Sequence, residues 1–161
     1  MKRIAVVCCL AALAGCATPP PRMYLSASGR PEAVFVGQSP SMVLGRLAGL
    51  CMDRQGVVVG QDSNQVVCQK DLEPGNALLA QFLIGNEYST TPVLKIRFSA
   101  AQIGIDTRVQ VYEWLETQMA FGQVRTIEMN NNNEFNKVEQ MLIQLGGQVQ
   151  EAPPPPAPPT K

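Results

Sequence analysis

The stretch Val93-Leu94-Lys95-Ile96-Arg97-Phe98-Ser99-Ala100, followed beyond Gly104 by Ile105 to Leu115, decides the fold class. Leu94, Ile96 and Phe98 alternate with Lys95 and Arg97, and Val109 and Val111 alternate with Arg108 and Gln110. A period of two puts the apolar set on one face and the polar set on the other, so each run reads as a strand with one buried face. Gly104 marks the turn between them, and Thr117-Gln118 leads to a third strand expected over Phe121 to Met129. Connections this short join antiparallel neighbours.

Toward the N-terminus the period changes. Ala33 to Val36 reads as a short strand, and Ser39-Pro40 opens a helix with Ser39 as N-cap and Pro40 at the first helical position. Val43, Leu44, Leu47, Leu50 and Cys51 recur at helical spacing and give it one apolar face. Gly56 is expected to end this helix in a left-handed cap. Val57-Val58-Val59 and Gln65-Val66-Val67-Cys68 then flank Gln61-Asp62-Ser63-Asn64, the pattern of a hairpin. A short helix is expected from Ala77 to Ile84, and it holds too many apolar residues for one exposed face. It is either buried or a lip over a hydrophobic groove. After the long strands, Asn130 to Asn133 offer N-caps for a last helix with the stripe Phe135, Val138, Met141, Leu142 and Leu145, closed by Gly146-Gly147. The expected fold is α+β: one antiparallel sheet of five to six strands, two amphipathic helices on one face and a short extra helix.

Both ends of this domain, residues 33–147, read differently. Residues 16–32 carry Thr18-Pro19-Pro20-Pro21 and Ser26-Ala27-Ser28-Gly29, a flexible tether that if extended reaches a few nanometres at about 3.1 Å per residue. Residues 148–161 hold Pro153 to Pro156 and Pro158-Pro159, an extended tail whose simplest role is a spacer.

Residues 1–15 are a targeting segment. Lys2 and Arg3 precede the apolar run Ile4 to Leu13, which is long enough for a secretory signal and too short to span a bilayer. It ends in Leu13-Ala14-Gly15-Cys16, and this resembles the lipobox of bacterial lipoproteins at all four positions. The resemblance implies removal of Met1 to Gly15, a diacylglyceryl group on Cys16 and acylation of the new amino terminus. Ala12-Leu13-Ala14 offers an ordinary Ala-x-Ala cleavage point as the alternative. Ala17 stands where the family's inner-membrane retention signal would place Asp, which implies the outer membrane, facing the periplasm.

Composition narrows the function further. Lys plus Arg equal Asp plus Glu at 13 each, with no basic block, so nucleic acid and anionic lipid are poor electrostatic partners. There is no histidine, which removes the commonest general base and most zinc sites; no cofactor is expected. With Cys16 lipidated, Cys51 and Cys68 remain as an even pair in an oxidising compartment. They either bridge, contributing on the order of 3 kcal/mol, or stay as two buried thiols.

No motif names an activity. Glu113 and Glu116 are the closest carboxylate pair, but three apart on a strand they face opposite ways, and a solvated strand end is the simpler reading. Serines lack a Gly-x-Ser-x-Gly setting. The polar loop Asn86-Glu87-Tyr88-Ser89-Thr90-Thr91 is the candidate recognition segment, against the plainer role of a connector. Phe82, Leu83, Ile84, Tyr88, Tyr112 and Trp114 either line the mouth of an apolar cleft or fill the core. In topology alone the element order resembles helix-grip domains and the small domains of envelope-assembly lipoproteins. The reading is a non-enzymatic, lipid-anchored envelope protein that acts by contact with another envelope protein. A carrier or sensor of an apolar ligand such as a lipid is the alternative.

Overall fold

The two alternating runs become the longest strands of the protein, joined through Gly104 and Ile105 in a two-residue turn. Gly104 takes φ of 62°, the left-handed value that the first position of a type II′ hairpin requires. The computed structural model describes residues 20–84 and 89–151. The targeting segment with Cys16, residues 85–88 and the tail from residue 152 onward lie outside the described residues. The first residues read as tail belong to the domain, since Gln148 bridges to Val34 and Gln150–Glu151 pair with Tyr24–Leu25.

In chain order the elements are β1 (Tyr24–Leu25), β2 (Glu32–Phe35), α1 (Pro40–Asp53), β3 (Val57–Gln61), β4 (Gln65–Asp71) and α2 (Pro74–Ile84). There follow β5 (Val93–Ile103), β6 (Asp106–Gln118), β7 (Val124–Glu128), α3 (Asn132–Gln144) and β8 (Gln150–Glu151). The main sheet is antiparallel, in the order β2-β6-β5-β4-β3, and β7 extends it along the same edge of β6 as β2. The α+β expectation holds in class, strand number and the three helices.

Alternation along the strands then sorts the two faces. Val66, Cys68, Phe98, Ala100, Val109 and Val111 point to one side and join a single core with Leu44 and Leu47 of α1 and Val138 and Leu142 of α3. Leu47 and Leu142 are fully buried, and burial of this kind is worth about 1.5–3 kcal/mol per side chain. Lys95, Arg97, Tyr112 and Trp114 alternate with these and point to the opposite face, away from that core.

Helix α1 begins as its sequence indicates, with the Met42 amide donating to Ser39 Oγ at 3.4 Å and Pro40 in the first turn. Its end differs. Gln55, not Gly56, takes the left-handed conformation, at φ 62°. Gly56 is needed for space: a Cβ there would lie 2.7 Å from Cys68 Sγ and 2.9 Å from Cys51 Sγ. Those two sulfurs form a disulfide, with the Cα atoms 5.9 Å apart.

Helix α3 starts at the N-cap Asn131, whose side chain accepts from the Glu134 amide at 3.0 Å. It closes in a Schellman turn, Gly147 N–H to Leu142 C=O and Gly146 N–H to Ile143 C=O, with Gly146 at φ 88°. The third long strand is shorter than its sequence suggests. Ala120–Gly122 forms one 3-10 turn with Phe121 at φ 64° and fully exposed, and the Met119 amide donates to Gln123 C=O across it. A five-residue connection between β6 and β7 consumes the first residues of the expected strand.

The segment read as a tether departs most from expectation. From Pro20 onward it is seated against α3. Asn132 Nδ2 donates to Pro20 C=O, Asn136 Nδ2 donates to Pro21 C=O, and the Met23 amide donates to Asn136 Oδ1, at 2.9–3.0 Å. Arg22 reaches the fully buried Glu139 at 2.7 Å, and β1 pairs with β8. Proline carbonyls without a sheet partner of their own meet asparagine amides spaced one helical turn apart, so the strap follows one stripe of α3.

Candidate functional site

Helix α1 packs over β3, β4 and β5, while α3 packs toward β2. The two helices do not meet over the whole sheet, and between them a cleft of about 230 Å³ stays open. Leu50 of α1, Ile96 and Phe98 of β5, Val138 and Met141 of α3, and the Cys51–Cys68 bridge form its apolar walls. Phe98 and both cysteines are buried, so they make its inner wall. Arg54 and Lys70 line it from the α1 and β4 side, Glu134 and Lys137 from α3.

One residue breaks the apolar lining. On β6 the helix-facing positions run Val109, Val111, Glu113, and Glu113 pairs across the ladder with Ile96. Its carboxyl therefore enters the cleft, where it makes no hydrogen bond among the described residues. Burial pushes it up to about 7, the nearby Glu134 charge adds to the shift, and Lys137 opposes it. Glu116 sits on the other face, hydrogen-bonded by Lys95 Nζ at 2.5 Å and Trp114 Nε1 at 3.0 Å. Burial raises it too, but those hydrogen bonds outweigh the burial and hold it below the usual carboxylate range. The two carboxylates do face opposite ways, as their spacing indicates. Glu113, however, is not a solvated strand end. Its parity with Val109 and Val111 was the signal that places it inside.

This has a measurable consequence for stability. With its folded value raised, Glu113 keeps its proton in the native state while the unfolded chain loses it. Stability therefore falls as pH rises from about 4.5 to about 7 and is flat beyond. Glu113→Gln is expected to stabilise the fold by about 1–3 kcal/mol at pH 8, after allowing for partial solvent screening, and by nothing measurable below pH 4.5. Urea denaturation at both pH values checks this, and an equal gain at both would show that the carboxyl is solvated.

The remaining sequence candidates disperse. In the candidate loop, Asn86, Glu87 and Tyr88 lie outside the described residues. Thr90 is tied into the fold: its amide donates to Gln118 C=O at 2.8 Å, its Oγ1 accepts from Gln118 N–H, and its carbonyl accepts from Thr117 Oγ1. Ser89 and Thr91 flank that anchor. Ile84 is fully buried, while Tyr112 and Trp114 stack at 5.2 Å on the opposite face of the sheet and do not line the cleft. Arg30 and Arg97 lie over the Tyr112 ring at 4.2 and 5.2 Å, and Arg30 pairs with Glu128 at 3.1 Å. The cleft thus lies between α1 and α3, not beneath the short helix α2.

No protein-family model, curated protein or solved structure matches this chain. Among the described residues, no three His, Cys, Asp or Glu side chains come together in a metal-binding group. None of the described helices is long and apolar enough to cross a membrane. What the site offers chemically is an apolar recess with one unpartnered carboxyl, on a frame closed by a disulfide.

Proposed function

We propose that the protein is a lipid-anchored, non-catalytic envelope lipoprotein that acts by contact with another envelope protein. The lipobox resemblance at Leu13-Ala14-Gly15-Cys16 supports the anchor on Cys16 and, with Ala17 behind it, a position on the outer membrane facing the periplasm. The observation that carries the contact role is the cleft between α1 and α3. It is smaller than the roughly 300–1,000 Å³ of sites that enclose a drug-sized molecule, so it suits an inserted side chain better than a whole lipid. Of the two carboxylates that line the cleft, Glu134 is already paired with Lys137 at 2.9 Å, which leaves Glu113 without a free partner and favours contact over acid–base chemistry.

The test is crosslinking in intact cells of the full chain, with a photoreactive residue in place of Met141, followed by purification from the membrane and mass spectrometry. One reproducible envelope protein on the cleft supports the contact role. A crosslinked lipid instead moves the function to the carrier alternative, and no adduct at all rejects the cleft as a working site. In the same cells Cys16→Ala is expected to leave the protein unprocessed or released from the membrane; normal retention would overturn the anchor.

A further inference from the structure

The charges around the cleft restrict what kind of segment enters it, an inference that rests on the contact function proposed above. Lys137 is already paired with Glu134 at 2.9 Å. Arg54 and Lys70, by contrast, are exposed and have no ion pair or hydrogen bond from their side chains among the described residues. Both sit on the same side of the opening, at the end of α1 and on β4. The apolar walls are made of Leu50, Ile96, Phe98, Val138 and Met141. Such a recess, desolvated at its centre and charged at its rim, has the form of a hot-spot pocket for one anchor residue.

We propose that the cleft receives one large apolar side chain from an acidic segment of a partner protein, whose carboxylates pair with Arg54 and Lys70. Charge complementarity sets the sign of the segment, and the volume sets its anchor at one side chain. The rim cations also disfavour basic segments, which supplies selectivity beyond the apolar contact.

Glu113 makes this contact sensitive to pH. The groups facing it are Arg54, Lys70 of β4, and Glu134 and Lys137 of α3; β5 brings only Leu94, Ile96 and Phe98. An anchor in the cleft strips water from the Glu113 carboxyl, and acidic flanks further oppose its ionisation. Occupancy therefore favours the protonated form, and affinity weakens as pH rises through neutrality.

The experiment titrates the full chain in phospholipid nanodiscs, with methyl-labelled methionine, using a synthetic acidic peptide carrying one central Trp. Met141 reports the cleft, while Met42 and Met52, exposed on α1, serve as references. Saturable shifts at Met141 alone are expected. They should be about tenfold weaker in affinity for the Arg54→Glu/Lys70→Glu variant, whose exposed positions spare the fold, and absent for a basic peptide of the same length. Between about pH 6 and about pH 8 the affinity should drop several-fold, and Glu113→Gln should flatten that profile. No shift with the acidic peptide, or equal shifts with the basic one, would overturn the proposal. So would broadening of Met141 by spin-labelled lipid in peptide-free discs, which would assign the cleft to an acyl chain. Should the titration fail while the in-cell crosslink still finds a protein, the contact role stands and only the acidic, single-anchor segment is lost.

Discussion

Arg22→Ala is expected to destabilise the domain by about 3–5 kcal/mol, the range for removing one partner of a buried ion pair. The Glu139 side chain is fully buried, and Arg22 supplies its ion pair, 2.7 Å from Oε1. Glu139 Oε2 and Arg22 Nε already lack partners, so the pair has no reserve of hydrogen bonds to fall back on. Arg22 also lies 4.4 Å above the Phe135 ring and hydrogen-bonds Ser26 Oγ and Gly29 C=O, which fold the strap around it. Burial raises the Glu139 carboxyl above its usual range even against Arg22. Removing Arg22 lifts it further, so the loss should be largest at neutral pH and shrink in acid, where the carboxyl is neutral in both states. Replacing both residues by apolar ones of similar volume, Arg22→Met with Glu139→Leu, should return most of the stability. Denaturant midpoints for the three variants decide the matter. A single-variant loss under about 0.5 kcal/mol, the size of a surface pair, would mean that water reaches Glu139.

The second large effect is expected at the disulfide. Cys51→Ala/Cys68→Ala should cost about 2–4 kcal/mol, from the unfolded-state entropy of a loop whose ends are 17 residues apart. This bridge also shapes a surface. Its sulfurs fill the space against Gly56 and form part of the inner wall of the cleft. The variant should therefore do two things at once: lower the denaturation midpoint, and shift the Met141 methyl signal in the absence of any peptide. Reduction of the native protein should reproduce both. A loss below 1 kcal/mol would show that the packing of α1 on β4 already holds the two residues together without the bond.

Much of the fold was legible because strict periodicities are hard to mimic. Leu94, Ile96, Phe98, Val109 and Val111 allow only one burial pattern, and Ser39-Pro40 allows only one helix start. The hairpin followed from Gln61-Asp62-Ser63-Asn64 between two apolar runs, and the Cys51–Cys68 bridge was one of the two outcomes open to an even cysteine pair. Three things escaped for physical reasons. The left-handed residue of α1 went to Gln55 because Gly56 was required for close approach to sulfur, and a glycine does not announce which of its two uses applies. The strap was hidden because Pro19-Pro20-Pro21 resists regular structure, and nothing in it indicates that its carbonyls meet Asn132 and Asn136. Glu139 was hidden as well: four residues after Phe135 and three before Leu142 it falls at the edge of the apolar stripe, where a carboxylate reads as solvated, and only the distant Arg22 explains its burial. Of the site, the apolar walls were readable as core, but the gap between α1 and α3 is a tertiary property of helix placement. Glu113 alone could have been found in advance, by extending the parity of Val109 and Val111 two residues further.

The seating of Pro20 to Met23 on α3 bears on how the protein sits at a membrane. With a lipid on Cys16, only four residue steps separate the anchor from the first pinned carbonyl, at Pro20. Fully extended, they span about 14 Å, less than two Debye lengths at physiological ionic strength. The domain would then stay within that reach of the bilayer, with the Asn132 end of α3 nearest the lipid, because Pro20 is held there. Its neighbours on the membrane would meet it within a narrow range of heights, like a boat moored on a short rope.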